Sequence, residues 1–306
     1  MQTSRLKIGT RGSKLALAQA HETRRRLAEA HGLDPADIEI VVIITTGDRE
    51  RDRPLSEIGG KGLFTKEIEE ALLAGGIDLA VHSMKDMPTR LPTGLAMAAY
   101  LPREDARDAF LSPLAASVKD LPHGARMGTS SVRRAAQLKH LRPDVVIMPF
   151  RGNVDTRLKK LDDGLVDATF LAAAGLNRLG LAERITSLVP VDDMLPAVAQ
   201  GAIGLEIREG DAATRKLLQA INHGPTESAV NCERAFLTVL DGSCRTPIAG
   251  HAMIAGPQIA FTGEALTLDG RHVFRARRFG PRGDAAKLGA DAGKEVKAAG
   301  GKLLTH

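Results

Sequence analysis

The chain has 306 residues, enough for two or three domains, and its 43% hydrophobic and 26% charged content is ordinary for a water-soluble globular protein. No apolar run approaches the ~20 residues of a membrane span, and the N-terminus MQTSRLKIGTRGS has no apolar core followed by a small-residue cleavage site, so the expected location is the cytoplasm. A formal charge of +5, from 42 Lys+Arg against 37 Asp+Glu, suggests anionic partners without identifying them.

The first two thirds alternate strand-like and helix-like stretches, which predicts α/β architecture. Residues 5–10 (RLKIGT) read as a strand. Ser13 caps a following helix that runs to about residue 30. Residues 38–46 (IEIVVIITT) read as a buried strand. Residues 64–74 form an amphipathic helix with Phe64, Ile68, Ala71 and Leu72 on one stripe. Residues 77–82 (IDLAVH) are a third strand. After about residue 105 the pattern restarts, with strands at 125–129, 145–149 and 167–172 and helices from about Ser130, over 153–162 and near 174–179. Residues 94–100 and 202–208 read as extended crossovers between the two units. The last block differs: a helix at 226–239, strand-like segments at 248–254, 258–267 and 272–279, and a helix at 284–298 form a small α+β domain.

Ligands of open α/β sheets bind beyond the carboxyl ends of the strands. Arg11 and Ser13 follow the first predicted strand, Thr45, Gly47 and Asp48 the second, and His82, Ser83, Lys85 and Asp86 the third. In the second unit Thr129, Ser130, Ser131, Arg133 and Arg134 follow the first strand, Arg151 and Arg157 the next, and Arg178 the last. Arginine's planar fork binds carboxylate or phosphate bidentately, and the helix starts in GTSS and RGN offer backbone N–H groups to an anion. A cleft between the units would therefore be rich in anion-binding donors. Arg24–Arg26 and Lys159–Lys160 read as solvated helix faces.

Other features leave two readings each. The glycines of IGGKGLF (58–64), around Lys61, suit a tight turn or a hinged lid; the P-loop spacing is absent. Asp86, the one acid in this basic set, is either a local ion-pair partner or a carboxylate meeting developing positive charge. Cys244, on a turn beside Arg245, is either inert or a nucleophile or attachment point. Cys232 falls within the 226–239 helix and reads as buried packing. The two cysteines have neither CxxC nor zinc-site spacing, and no disulfide between them is expected in a reducing compartment.

The stretches IGTRGSKLALAQA, IGGKGLFTKE, AVHSMKDMP, REDARDAF, GTSSVRRAAQL, RGNVDTRLKKLD, AGLNRLGL, LPAVAQGAIGLE and ERAFLTVLDGSCRTPI, in this order, resemble the porphobilinogen deaminase (hydroxymethylbilane synthase) family over nearly the whole chain. The resemblance implies two periplasmic-binding-protein-like α/β lobes plus a small α+β C-terminal domain. The implied boundaries are 1–101 with 200–220 for the first domain, 102–199 for the second, and 221–306 for the third, cofactor-bearing one. It implies a dipyrromethane cofactor held by a thioether to Cys244, and a monomer whose substrate is porphobilinogen, with no nucleic acid, membrane or metal involved. Four porphobilinogens are joined to the primer, each losing ammonia, and water releases the linear tetrapyrrole for haem biosynthesis. Each substrate carries an acetate and a propionate, which accounts for the arginines. By the same resemblance Asp86 is catalytic and Ser83, Lys85, Asp86, Thr129, Ser131, Arg133 and Arg134 meet the cofactor. Arg11, Ser13, Lys61, Phe64, Arg151, Arg157, Arg178 and Gln200 meet the incoming substrate. One departure is Glu57, where some members carry lysine.

Two competing readings are a non-enzymatic binder of a small anion and a nucleic-acid protein. A simple binder needs neither Cys244 nor Asp86. With no Trp, one Tyr and eight Phe, the chain has few platforms for stacking bases.

Overall fold

A computed structural model describes residues 6–49, 64–241 and 246–304. The chain folds into two compact units, Met1–Arg103 with Ala202–Glu227, and Glu104–Gly201 with Ser228–His306.

The first unit is built on one five-stranded sheet. Strands β1 (Leu6–Thr10), β2 (Ile38–Val42) and β3 (Leu79–Ser83) are joined by the helices Lys14–His31 and Lys66–Leu73, and β4 (Leu95–Tyr100) follows. The sheet order is β2-β1-β3-β10-β4, where β10 is Ile203–Arg208. β1 pairs parallel with β2 and β3, and β10 runs antiparallel to both β3 and β4. The segment expected as a crossover is thus an inner strand. One face is sealed by Ile8, Leu79, Val81, Leu205 and Ile207 against Ala20 and Leu27 of the first helix. The other is sealed by Ala80 against Ile68 and Leu72 of the second. The second strand stops at Val42, short of the predicted residue 46, because its partner β1 ends at Thr10; Ile43 makes the last ladder bond, N–H to Thr10 O at 2.8 Å.

The second unit holds two sheets. β5 (Asp108–Leu111), β6 (Arg126–Gly128), β7 (Val146–Met148), β8 (Ala168–Ala172) and β9 (Ser187–Leu188) form the order β7-β6-β8-β5-β9. The plan repeats that of the first sheet: three parallel strands, then an antiparallel strand drawn from outside the βαβ run, then an edge. The helices Val132–Leu141 and Val154–Asp162 bury Leu138 on one face, and Leu158 and Leu161 on the other. β11 (Ile248–Ala255), β12 (Gln258–Leu266) and β13 (Val273–Pro281) form an antiparallel sheet, with Phe236 of the helix Gly224–Val239 and Ala292 and Val296 of the helix Ala285–Gly300 in its core. The fold class is therefore the expected one, two α/β lobes and a small α+β C-terminal domain.

The second lobe and the C-terminal domain lie in one compact unit. Buried hydrogen bonds join them. Glu233, fully buried, accepts the backbone N–H of Ala199 through Oε2 and that of Ala252 through Oε1 at 2.8 Å. Gly250 N–H donates to Pro196 O at 3.1 Å. Among the described residues no helix is long and apolar enough to cross a membrane.

Candidate functional site

Parallel pairing places the carboxyl ends of β1, β2 and β3 on one edge of the first sheet, and those of β6, β7 and β8 on one edge of the second. The chain continues from these edges into most of the residues singled out above.

In the first unit Ser13 is the N-cap of the helix Lys14–His31, accepting from Ala16 N–H at 3.2 Å. Arg11 lies over the ring of Phe64, 4.2 Å from its centroid, and donates from Nε to Asp48 at 3.2 Å. Burial raises the Asp48 carboxyl, but the hydrogen bond and charge of Arg11, with bonds from Thr45, bring it below its ordinary value. Asp48, one of the residues that follow the second strand, also accepts from the hydroxyl of Thr45, three residues before it, at 2.8 Å, a local turn contact. Ser83 ends β3 and exchanges hydrogen bonds with the Gln19 amide, Nε2 to Oγ at 2.9 Å. A single 3-10 turn, Met84–Asp86, follows and carries Lys85 and Asp86 outward; both are exposed. The Asp86 carboxylate accepts no hydrogen bond from another described residue, so the local ion-pair reading finds no partner among them.

In the second unit Ser131 caps the helix Val132–Leu141, its Oγ accepting from Arg134 N–H at 3.4 Å, and Thr129 Oγ1 accepts from Ser131 N–H at 3.2 Å. Arg133 and Arg134, in the first turn of that helix, are each 5% exposed. Both guanidiniums close on Asp108, the first residue of β5. Arg133 Nη2 donates to Oδ2 at 2.7 Å, and Arg134 Nη2 to Oδ1 at 2.7 Å. Gln200, 1% exposed, donates from Nε2 to Asp108 Oδ1 at 2.9 Å and to Ala106 O at 2.8 Å. Burial alone would raise the Asp108 carboxyl, but the charges of Arg133 and Arg134 hold it far below the usual carboxylate range. Burial lowers the Arg133 guanidinium from its ordinary value, against the pull of Asp108. The trio holds two cations to one anion, and Glu264, which bears on Arg133 from β12, is itself paired with Arg275 at 2.6 Å. Sequence reasoning missed Asp108; an acid directly heading the apolar run DAFL was the available signal.

Arg151 and Arg157 are half-buried beyond β7. Asn153 caps the helix Val154–Asp162, and Arg157 Nε donates to Gly152 O at 2.9 Å. Gly152 has φ +125°, and a β-carbon there would lie 2.7 Å from Thr156, so the RGN turn requires glycine. Arg178 Nη2 donates to Gly201 O at 2.8 Å. Cys232 is fully buried, and burial followed by the nearby Glu233 charge pushes its thiol up to about 12, which leaves it inert. Lys61, Glu57 and Cys244 lie outside the described residues.

Both units thus carry arginine and hydroxyl groups around helix starts, a set suited to carboxylates, and the first adds Lys85 and the exposed carboxylate of Asp86 on the turn after β3.

A family model described as porphobilinogen deaminase, dipyromethane cofactor binding domain, matches residues 6–216. A second, porphobilinogen deaminase, C-terminal domain, matches residues 228–298. The chain is 59% identical over 292 residues to the porphobilinogen deaminase of Paracoccus denitrificans, covering 95% of this chain and 93% of that protein. It is 56% identical over 299 residues to that of Nitrobacter hamburgensis, covering 97% and 95%. Among solved structures it is similar to a periplasmic substrate-binding protein of an ABC transporter from Coxiella burnetii, with TM-score 0.43, 14% identity, and 71% of this chain and 91% of that chain covered.

Proposed function

Because the chain belongs to the porphobilinogen deaminase family, we propose that the residues above divide among themselves the work of that family's reaction. The activity is that of a transferase, hydroxymethylbilane synthase, which joins four porphobilinogen molecules with loss of ammonia from each and releases hydroxymethylbilane for tetrapyrrole and haem biosynthesis. The near-full-length family match carries this conclusion.

The cofactor of the family is dipyrromethane, and the residues present fit it. A buried trio with one cation in excess, Arg133, Arg134 and Asp108, favours an added carboxylate. When bound, the group supplies a nucleophilic pyrrole carbon and a set of carboxylates. Cys244 would hold it by a thioether, and Ser83, Lys85, Asp86, Thr129, Ser131, Arg133 and Arg134 would surround it. Asp108 fixes the spacing of the two arginines, and Gln200 braces Asp108.

The acetate and propionate of each incoming porphobilinogen are bound by Arg11, Arg151, Arg157 and Arg178, with Ser13 and Lys61 donating further bonds. Phe64 holds Arg11 by its ring face. Asp86 offers an exposed carboxylate to cationic pyrrole nitrogens, whose charge develops as ammonia leaves and as rings join, and it moves protons at those nitrogens. The enzyme works as a monomer in the cytoplasm, where reducing conditions keep the Cys244 thiol available. Its three sheets serve as three domains, the last bearing the attachment cysteine.

Intact-protein mass spectrometry tests the reading. The purified protein should exceed its sequence mass by two linked pyrrole units. Cys244→Ser should abolish the increment and Cys232→Ser should keep it. An unmodified, fully active wild-type protein would falsify the attachment.

A further inference from the structure

β3 delivers the chain directly to Lys85 and Asp86, and its end is pinned on both faces of the sheet. On one face Ser83 holds the Gln19 amide of the helix Lys14–His31. On the other face His82 and Glu206 meet beneath the helix Lys66–Leu73: His82 Nε2 and Glu206 Oε2 are 2.9 Å apart, with side-chain exposures of 5% and 0%. Glu206 belongs to β10, where Gly204 stands opposite His82. Met84, the first residue of the turn that carries Asp86, sits in the space that Gly204 leaves. A β-carbon at Gly204 would lie 2.1 Å from the Met84 sulfur. Met84 N–H also donates to Ala202 O at 3.0 Å.

A second acid completes the cluster. Glu69, 7% exposed, projects from the helix Lys66–Leu73 toward the pair, beside the hydroxyl of Thr65, and Glu206 Oε1 is shielded from solvent without a hydrogen-bond partner among the described residues. Around Glu69 stand His82 from β3, Glu206 from β10 and Glu70 from its own helix; Lys7 of β1 is exposed. Of the two buried acids, Glu206 is the one within hydrogen-bond distance of the His82 imidazole. Burial, chiefly, raises the Glu69 carboxyl above its ordinary value.

We propose that Glu206 is a positioning residue for the reaction: through His82 it fixes the end of β3 and so the pose of Asp86, a role that Glu69 does not share. This inference rests on the reading of Asp86 as the catalytic carboxylate. It separates the buried acids by role, since Glu206 holds the imidazole and Glu69 does not.

The test compares Glu206→Gln, Glu69→Gln and Asp86→Asn in the full, primer-bearing protein, with primer content by intact mass and with kcat and KM for porphobilinogen. Glu206→Gln should keep its primer, lose at least tenfold in kcat and hold KM within about threefold. Glu69→Gln should stay within about twofold of wild type in both. If Glu206→Gln does not fold, the double variant His82→Gln/Glu206→Gln, which replaces both members of the pair, takes its place with the same expectation. A loaded Glu206→Gln or double variant with kcat within twofold of wild type overturns the inference, as does a loss of activity that merely tracks primer content. Glu69→Gln falling as far as Glu206→Gln overturns the separation of the two acids by role. If Asp86→Asn is slow while Glu206→Gln is normal, the inference alone fails; if Asp86→Asn turns over normally, the catalytic reading fails and takes the inference with it.

Discussion

Arg134 grips a single oxygen of Asp108 with two of its guanidinium nitrogens, Nη2 at 2.7 Å and Nε at 3.2 Å, at a carboxylate with no exposure to solvent. Arg133 takes the other oxygen and ties the group to Leu195 O at 2.7 Å. The arginines nearest the expected cofactor are therefore also internal struts of the second lobe.

Replacing Asp108 by Asn leaves two buried guanidiniums without a counter-charge. Breaking one side of such a pair costs ~3–5 kcal/mol, so Asp108→Asn should unfold at much lower urea than wild type. The Asp108 carboxyl is lowered by folding, so its contribution is fully present above the unfolded value of about 3.9 and is lost as pH falls through the depressed folded value. Urea midpoints from pH 7 down to pH 3 should show a smaller acid-side loss in Asp108→Asn than in wild type. An equal midpoint at pH 7 would remove Asp108 from the stabilising core.

Asp86 is exposed, so its substitution should change rate and not stability. Removing one charge that stabilises a transition state costs ~3–4 kcal/mol, a factor of ~10²–10³. Asp86→Asn should fold, carry primer and turn over at least a hundredfold more slowly, and Asp86→Glu should retain more activity than Asn. Steady-state tetrapyrrole formation, normalised to primer content, decides it. Turnover within tenfold of wild type by loaded Asp86→Asn would defeat the assignment.

The arginines divide by burial. Arg11, Arg151 and Arg157 are only partly buried, so their replacement by Leu should leave the primer attached and stall elongation by more than tenfold, as expected when a desolvated carboxylate loses its partner. Arg133→Leu and Arg134→Leu should instead block primer assembly and lower stability, because Asp108 loses a partner. Arg24→Leu is the control. Mass spectra of each variant after a porphobilinogen pulse separate the classes; a stalled Arg24→Leu would dissolve the division.

The C-terminal domain carries a steric test. A β-carbon at Gly289 would lie 1.9 Å from the backbone oxygen of Cys232, where the helices Gly224–Val239 and Ala285–Gly300 touch. Gly289→Ala must push one helix off the other, and overpacking of this kind costs ~1–3 kcal/mol. Its melting temperature should fall by several degrees, whereas Gly283→Ala, with open space around the new carbon, should melt as wild type does. Equal melting of the two variants would show that the contact yields freely.

Much of the fold was legible because long segments carried their own period. The helices Lys14–His31 and Lys66–Leu73 and the strands around them were read to within a few residues, and parallel pairing then set Arg11, Lys85, Arg133 and Arg151 beyond strand ends. β5 and β9 went unread because runs of four and two residues are too short to show alternation. Glu206 was hidden for a different reason. In β10, Ile203, Leu205 and Ile207 face one way and Gly204, Glu206 and Arg208 the other, a pattern that reads as a strand with one wet face. A helix contributing its own glutamate covers that face, so a buried acid looks like a surface one. Cys244 was singled out by its motif alone, since a turn cysteine has no periodicity to read.

The place of β10 has a consequence for synthesis on the ribosome. It stands between β3 and β4, which makes the first sheet continuous only through residues 203–208. A nascent chain that has emitted the whole second lobe still carries β4 with no neighbour and β3 with an open edge. Long-range pairing of this kind is slow and leaves unpaired edges exposed in the meantime. The N-terminal lobe is thus the earlier to be translated but cannot close until after the lobe that follows it, so a ribosome pausing before residue 203 would hold the molecule at its most vulnerable stage.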